Sequence, residues 1–214
     1  TGTYAWTDGT TTYTDGLAFT PSIGTATYTV TGTDGITTCE NTADVIVTVN
    51  ALPTVTASSS PISPLCDGDL LTLTGAGATS YTWTDGTATY TDGLAFTPTI
   101  GTLTYTVTGT DLSTTCSNTE DVIVTVNALP TVTAISSPIS PLCDGDLLTL
   151  NGAGATSYSW DNSVIDNTSF TPAVGTVIYT ATGTDGNNCE NTTTISVTVN
   201  ALPTVTASSS PISP

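Results

Sequence analysis

The chain has 214 residues, 18 acidic groups and no lysine, arginine, histidine or methionine, for a formal net charge of −18. With no cationic side chain to neutralise phosphates, nucleic-acid binding is effectively excluded, and the same absence argues against attachment to an anionic membrane surface. Without histidine there is no Ser-His-Asp or Cys-His pair and no imidazole metal ligand; without lysine there is no Schiff base. Carboxylates are the only ordinary acid–base groups left, so the chain is expected not to be an enzyme. Hydrophobic residues are 37% of the total, enough for real cores. No apolar run approaches the length of a membrane span, and no insertion in a bilayer is expected.

Internal repetition organises the chain. The segment ALPTVTASSSPISP begins at Ala51, returns at Ala128 with Ile135 in place of Ser58, and returns unchanged at Ala201. The first step is 77 residues, from Ala51 to Ala128, and the second is 73, from Ala128 to Ala201. Residues 1–50 therefore read as the C-terminal part of one repeat, 51–127 and 128–200 as complete repeats, and 201–214 as the start of the next. The 128–200 repeat is trimmed mainly between Trp160 and Phe170.

Within a repeat the apolar residues follow the period of a strand, two. Taking 51–127 in order, Leu71 and Leu73 share one face, as do Tyr81 and Trp83 in the following strand. In Leu103-Thr104-Tyr105-Thr106-Val107-Thr108 the large residues face one way and the threonines the other, and Val122, Val124 and Val126 repeat the pattern near the end. Turn signals separate these runs at Asp67-Gly68, Asp85-Gly86, Asp92-Gly93 and Ile100-Gly101. The pattern predicts about six or seven short strands per repeat, no helix, and two sheets packed face to face over Trp6, Trp83 or Trp160. The fold class is all-β: tandem Ig-like β-sandwich domains in a linear array. Asn127-Ala128-Leu129-Pro130 is a short linker whose proline limits bending.

The five cysteines are Cys39, Cys66, Cys116, Cys143 and Cys189. Each complete repeat holds an early one, before its second strand, and a late one near the start of its last strand. There is no C-x-x-C pair, so disulfides are the better reading than a metal, and they place the protein outside a reducing cytosol. The expected bridges are within repeats, Cys66–Cys116 and Cys143–Cys189, spanning 50 and 46 residues. A rival pairing, Cys39–Cys66 and Cys116–Cys143, has a constant step of 27 but crosses repeat boundaries. An immunoglobulin domain carries a strand-B Cys, a strand-C Trp and a Y-x-C in strand F. Here Trp83 is present, while Leu71 and Val107 stand where the two Ig cysteines would be.

The run LCDGDLLTLTGAGATSYTWTDG, followed by LAFTP, TYTVTGTD, TTC and DVIVTVNALP, resembles the Ig-like or PKD-like arrays of giant Bacteroidota surface adhesins exported by the type IX secretion system. SprB-type gliding adhesins are the nearest analogue. The resemblance implies an extracellular, cell-surface stalk that holds an adhesive tip away from the cell. Its partners would be neighbouring repeats of the same chain, and surface glycans or other copies in a filament.

Two other readings are open: a multivalent glycan- or surface-binding module, and an accessory region of a secreted enzyme. Asp67, Asp69, Asp144 and Asp146 are candidate calcium ligands, with Asp111 joining Asp67 and Asp69 if Cys66 and Cys116 are bridged. The alternative for the same residues is acidic turns, since no EF-hand loop is present. No cofactor other than calcium is suggested. The threonine rows are a candidate flat binding surface, and also simply a soluble β-favouring face.

Overall fold

The computed structural model describes residues 2–208, so residues 209–214 of the last predicted segment lie outside it. All regular structure among the described residues is β, as the period-two pattern predicts. Residues 2–50 contribute β1 (Thr3–Thr7), β2 (Thr12–Thr14), β3 (Gly24–Thr33) and β4 (Glu40–Val49). The 51–127 repeat contributes β5 (Thr56–Ser60), β6 (Leu65–Cys66), β7 (Leu71–Ala76), β8 (Ser80–Thr84), β9 (Thr89–Tyr90), β10 (Ala95–Phe96), β11 (Gly101–Thr110) and β12 (Ser117–Asn127). The 128–200 repeat follows with β13 (Thr133–Ser137), β14 (Leu142–Cys143), β15 (Leu148–Ala153), β16 (Ser157–Trp160), β17 (Ser169–Phe170), β18 (Gly175–Thr184) and β19 (Glu190–Asn200).

The strand orders repeat with the sequence. They are β2-β1-β3-β4 in the first segment, β10-β7-β5 and β6-β12-β11-β8-β9 in the next, and β13-β15-β17 and β14-β19-β18-β16 in the last. The chain forms two compact units. One is Thr1–Ser59, Thr72–Leu94 and Thr104–Val122; the other is Ser60–Leu71, Ala95–Leu103 and Ile123–Pro214.

The second unit contains the whole 128–200 sandwich. Its core is Val132, just ahead of β13, with Leu142, Leu148, Leu150, Trp160, Tyr179, Ala181, Val197 and Val199, alternate residues where a strand supplies two. The eight strand residues among them come from both sheets, which is the physical content of the sandwich. The SPISP run lets one edge strand serve both sheets: β13 pairs antiparallel with β15, then β14 pairs parallel with β19. Ser140 helps hold the crossing, its Oγ accepting the Thr198 N–H at 2.9 Å. The peptides before Pro138 and Pro141 are cis.

The GAGAT turn is fixed by close approach. A Cβ on Gly152 would lie 2.2 Å from a ring carbon of Tyr158, and Gly154 has φ of +93° against the Thr131 carbonyl. The Tyr158 hydroxyl closes this turn, accepting the Ala155 N–H and donating to the Ala155 carbonyl.

In the first unit Trp83 is 1% exposed, paired across the sheet with Val107 on one side and Tyr90 on the other. Leu71 and Val107, at the Ig cysteine positions, are both fully buried. Burying apolar carbon there requires no bridge, so the cysteines are released for use elsewhere.

Candidate functional site

The cysteines occupy equivalent, well-built positions. Early Cys66 pairs in parallel with Asn127 at the very end of β12, as Cys143 does with Asn200 at the end of β19. A tight turn follows in both copies. The Asp67 N–H donates to the Asn127 carbonyl at 2.8 Å, and the Cys66 N–H donates to Asp69 Oδ2 at 2.8 Å. Asp144 and Asp146 make the same bonds with Asn200 and Cys143 at the same distances.

Late cysteines close the hairpin before the last strand. The Asp34, Asp111 and Asp185 N–H groups donate to the carbonyls of Cys39, Cys116 and Cys189 at 2.9, 2.9 and 3.0 Å. The residue before each cysteine has a left-handed backbone: Thr38 at +55°, Thr115 at +61° and Asn188 at +62°. Each aspartate carboxylate accepts backbone N–H groups within its own turn. These bonds to the charged form hold Asp34 and Asp111 below the ordinary carboxylate pKa, Asp34 chiefly through the Thr37 N–H and Asp111 through the Ser113 hydroxyl.

One bridge is present, Cys66–Cys189, with a Cα–Cα distance of 5.5 Å. It replaces both expected pairings, since Cys39, Cys116 and Cys143 are free thiols. Strand polarity explains the correction. Cys143 is at the end of β19 and Cys189 just before its start, so the strand's 11 residues hold them about 35 Å apart. A disulfide spans at most about 7 Å between Cα atoms. Cys66 and Cys116 flank β12 in the same way. The early cysteine of one repeat is instead joined to the late cysteine of the next.

The bridge lies beside the linker. Asn191 Nδ2 donates to the Pro130 carbonyl at 3.0 Å, while the Asn127 carbonyl receives the Asp67 N–H. Asn118 contacts the Pro53 carbonyl likewise, at 3.1 Å. The linker is thus fixed at both ends by hydrogen bonds from the repeats it joins.

The calcium candidates do not assemble. Asp69 and Asp146 are occupied by their turns, and Asp111 belongs to the hairpin ahead of β12, whereas Asp67 bonds at that strand's far end. Among the described residues no group of three His, Cys, Asp or Glu side chains converges.

Sequence reading missed the partner of the tryptophans. Trp6, Trp83 and Trp160 donate their indole N–H to Asp15, Asp92 and Asp166 at 2.9, 2.8 and 2.8 Å. Asp92 and Asp166 also accept the N–H of Gly75 and Gly152. The signal was present: the second TDG of each longer repeat supplies this aspartate.

Threonine rows carry their own pairs, with Thr25–Thr48, Thr102–Thr125 and Thr176–Thr198 hydroxyls 2.9–3.0 Å apart. The best-formed cleft, about 240 Å³, is lined by Trp6, Tyr13, Phe19, Tyr28, Val45 and Val47 on the 2–50 sheet. Their counterparts 77 residues on include Trp83, Tyr105 and Val124, all buried, so the cleft is the inner face of a repeat.

No protein-family model matches the sequence, and no curated protein does. Among solved structures the chain is similar to a three-Ig segment of titin, in an E-to-A mutated variant, at 10% identity and TM-score 0.41, covering 94% of this chain and 88% of that one. It is similar to the fibronectin(III)-like modules of Clostridium thermocellum CbhA at 12% identity and TM-score 0.35, covering 72% and 100%. A third similarity is to a structure from work on host cell surface retention of a 1.5-MDa bacterial ice-binding adhesin, at 13% identity and TM-score 0.33, covering 94% and 87%. These overlaps are loose. The chain itself is a tandem array of all-β sandwich repeats.

Proposed function

We propose that this region is a spacer, a stalk segment of an extracellular surface protein, and that it carries no catalytic activity of its own. The observation that carries the reading is the disulfide joining one repeat to the next beside a linker hydrogen-bonded at both ends. A bridge in that place restrains the angle between repeats, which is useful to a rod and irrelevant to a ligand pocket. Disulfides persist outside the reducing cytosol, which supports an extracellular location. The acidic, lysine-free surface supports a repeat that stays soluble and does not stick to its neighbours. The motif resemblance supports the finer assignment, a Bacteroidota adhesin array exported by the type IX system and used in attachment or gliding.

Two measurements test this. The purified chain is expected to leave glycan arrays and carbohydrate-coated surfaces unbound at millimolar concentration; robust binding per repeat would replace the spacer by a multivalent binding module. Small-angle scattering is expected to give a longer, narrower distribution of end-to-end distances before reduction than after it. An unchanged distribution removes the stiffening role.

A further inference from the structure

We infer that the single bridge is one instance of a rule for the whole array: the early cysteine of each repeat bonds the late cysteine of the repeat that follows. Under this rule Cys39, Cys116 and Cys143 are half-bridges awaiting cysteines of other repeats. The inference concerns the junctions and holds whether or not the array is a spacer.

The free thiols sit in the same settings as the bonded ones. Cys143 repeats the environment of Cys66 bond for bond: the same strand-end pairing, the same Asp N–H to the last strand, the same carboxylate on its own N–H. Cys39 and Cys116 repeat that of Cys189, with the hairpin closed by the same Asp N–H and the preceding residue left-handed. The Cys189 hairpin is one residue shorter than the other two, yet presents its cysteine in the same way.

The rule also accounts for which cysteines are free. Cys116 requires an early cysteine in the 1–50 repeat, whose single cysteine, Cys39, is a late one. Cys143 requires a late cysteine of a repeat after 128–200, and Cys39 an early one of a repeat before 1–50. No two of the three satisfy the rule with each other, so Cys66–Cys189 is the one bridge that five cysteines in these places can make. Cys39 and Cys143 are exposed and Cys116 is half-buried, whereas bonded Cys189 is fully buried. Each new bridge removes two protons and two electrons from a thiol pair, and the electrons reduce a low-molecular-weight disulfide to two thiols.

The test extends the full chain. Residues 201–214 repeat 51–64, so appending residues 65–200 after Pro214 completes another pair of repeats across a native Asn200-Ala201 junction. The original copy carries Cys116→Ser and the added copy Cys143→Ser, so that the Cys116 peptide reports only the added copy and the Cys143 peptide only the original. The protein is refolded with a low-molecular-weight disulfide, alkylated, and cut without reduction by an aspartate-directed protease, trypsin having no site. In the 214-residue chain Cys143 is expected to alkylate. In the extended chain it is expected to be linked to the added Cys116, with Cys66–Cys189 retained. Cys143→Ser in both copies of the extended chain should leave the added Cys116 alkylatable without disturbing Cys66–Cys189. A Cys143 that still alkylates in the extended chain, or that links to Cys189 or any other residue, overturns the rule.

Discussion

The repeats at 51–127 and 128–200 bury the same tryptophan with different loops. After Trp83 the chain turns back as a hairpin, and Tyr90 pairs with Trp83 and donates its hydroxyl to Asp85 at 2.7 Å. After Trp160 that hairpin is missing. Asp161 binds the backbone of Thr180 instead, Val164 packs against the core, and Asn162, Ser163 and Asn167 take left-handed backbone. The carboxylate survives the deletion, on the indole N–H and on the N–H of Gly75 or Gly152. A buried donor left without an acceptor costs more than a loop rearrangement, so the loop changed and the acceptor stayed.

The comparison can be broken at several points. The largest effect is expected at Cys66→Ser, which opens a bridge of sequence separation 123; the chain-entropy limit for such a loop is about 5 kcal/mol. Calorimetry of wild type with and without reductant, beside the variant, checks it, and an unchanged melting profile contradicts the bridge. Next come Trp83→Ala and Trp160→Ala, each expected to cost about 3–5 kcal/mol in its own repeat. Trp83 should cost more, being 1% exposed against 9%. Asp92→Ala and Asp166→Ala should each cost about 1–3 kcal/mol, since two N–H groups lose one acceptor. Equal losses in denaturant titrations would sharpen the claim that the acceptor is the shared part; a loss confined to one repeat would break it.

The smallest effect is expected at Tyr90→Phe, and it is a pH effect of the hairpin that 128–200 lacks. The Ala88 N–H and then the Tyr90 hydroxyl hold Asp85 well below its ordinary 3.8. A depressed carboxylate stabilises the fold above pH about 4 and loses that contribution as pH falls through its folded value. Tyr90→Phe should therefore flatten the acid dependence of the urea midpoint. In the 2–50 segment, the bond to Asp8 and then burial push Tyr13 up to about 12 from 10.0. Its contribution is present below pH 10 and lost as pH rises through 12, which absorbance titration at the tyrosinate band reads directly.

Much of the fold was legible in the residues. Alternation at Leu71, Leu73, Tyr105, Val107, Val124 and Val126 marks inner faces, and all six are buried. The cysteine partners were not legible, because sequence distance does not say at which end of a strand a residue lies. The short parallel pairing of β6, made after the SPISP crossing, puts Cys66 at the end of β12. Nothing in the period-two pattern encodes that crossing. The role of Asp92 was hidden for a related reason: a TDG reads as a turn whether or not its carboxylate also receives an indole.

The bridge has a mechanical consequence. Pulled from its two ends, the chain between Cys66 and Cys189 would otherwise pay out about 430 Å of contour at about 3.5 Å per residue. With the sulfurs joined, tension passes from Cys66 straight to Cys189 across 5.5 Å, and the intervening polypeptide is shielded from load. Under tension the tethered stretch is inextensible, while the same protein after reduction would lengthen in steps as its sandwiches opened.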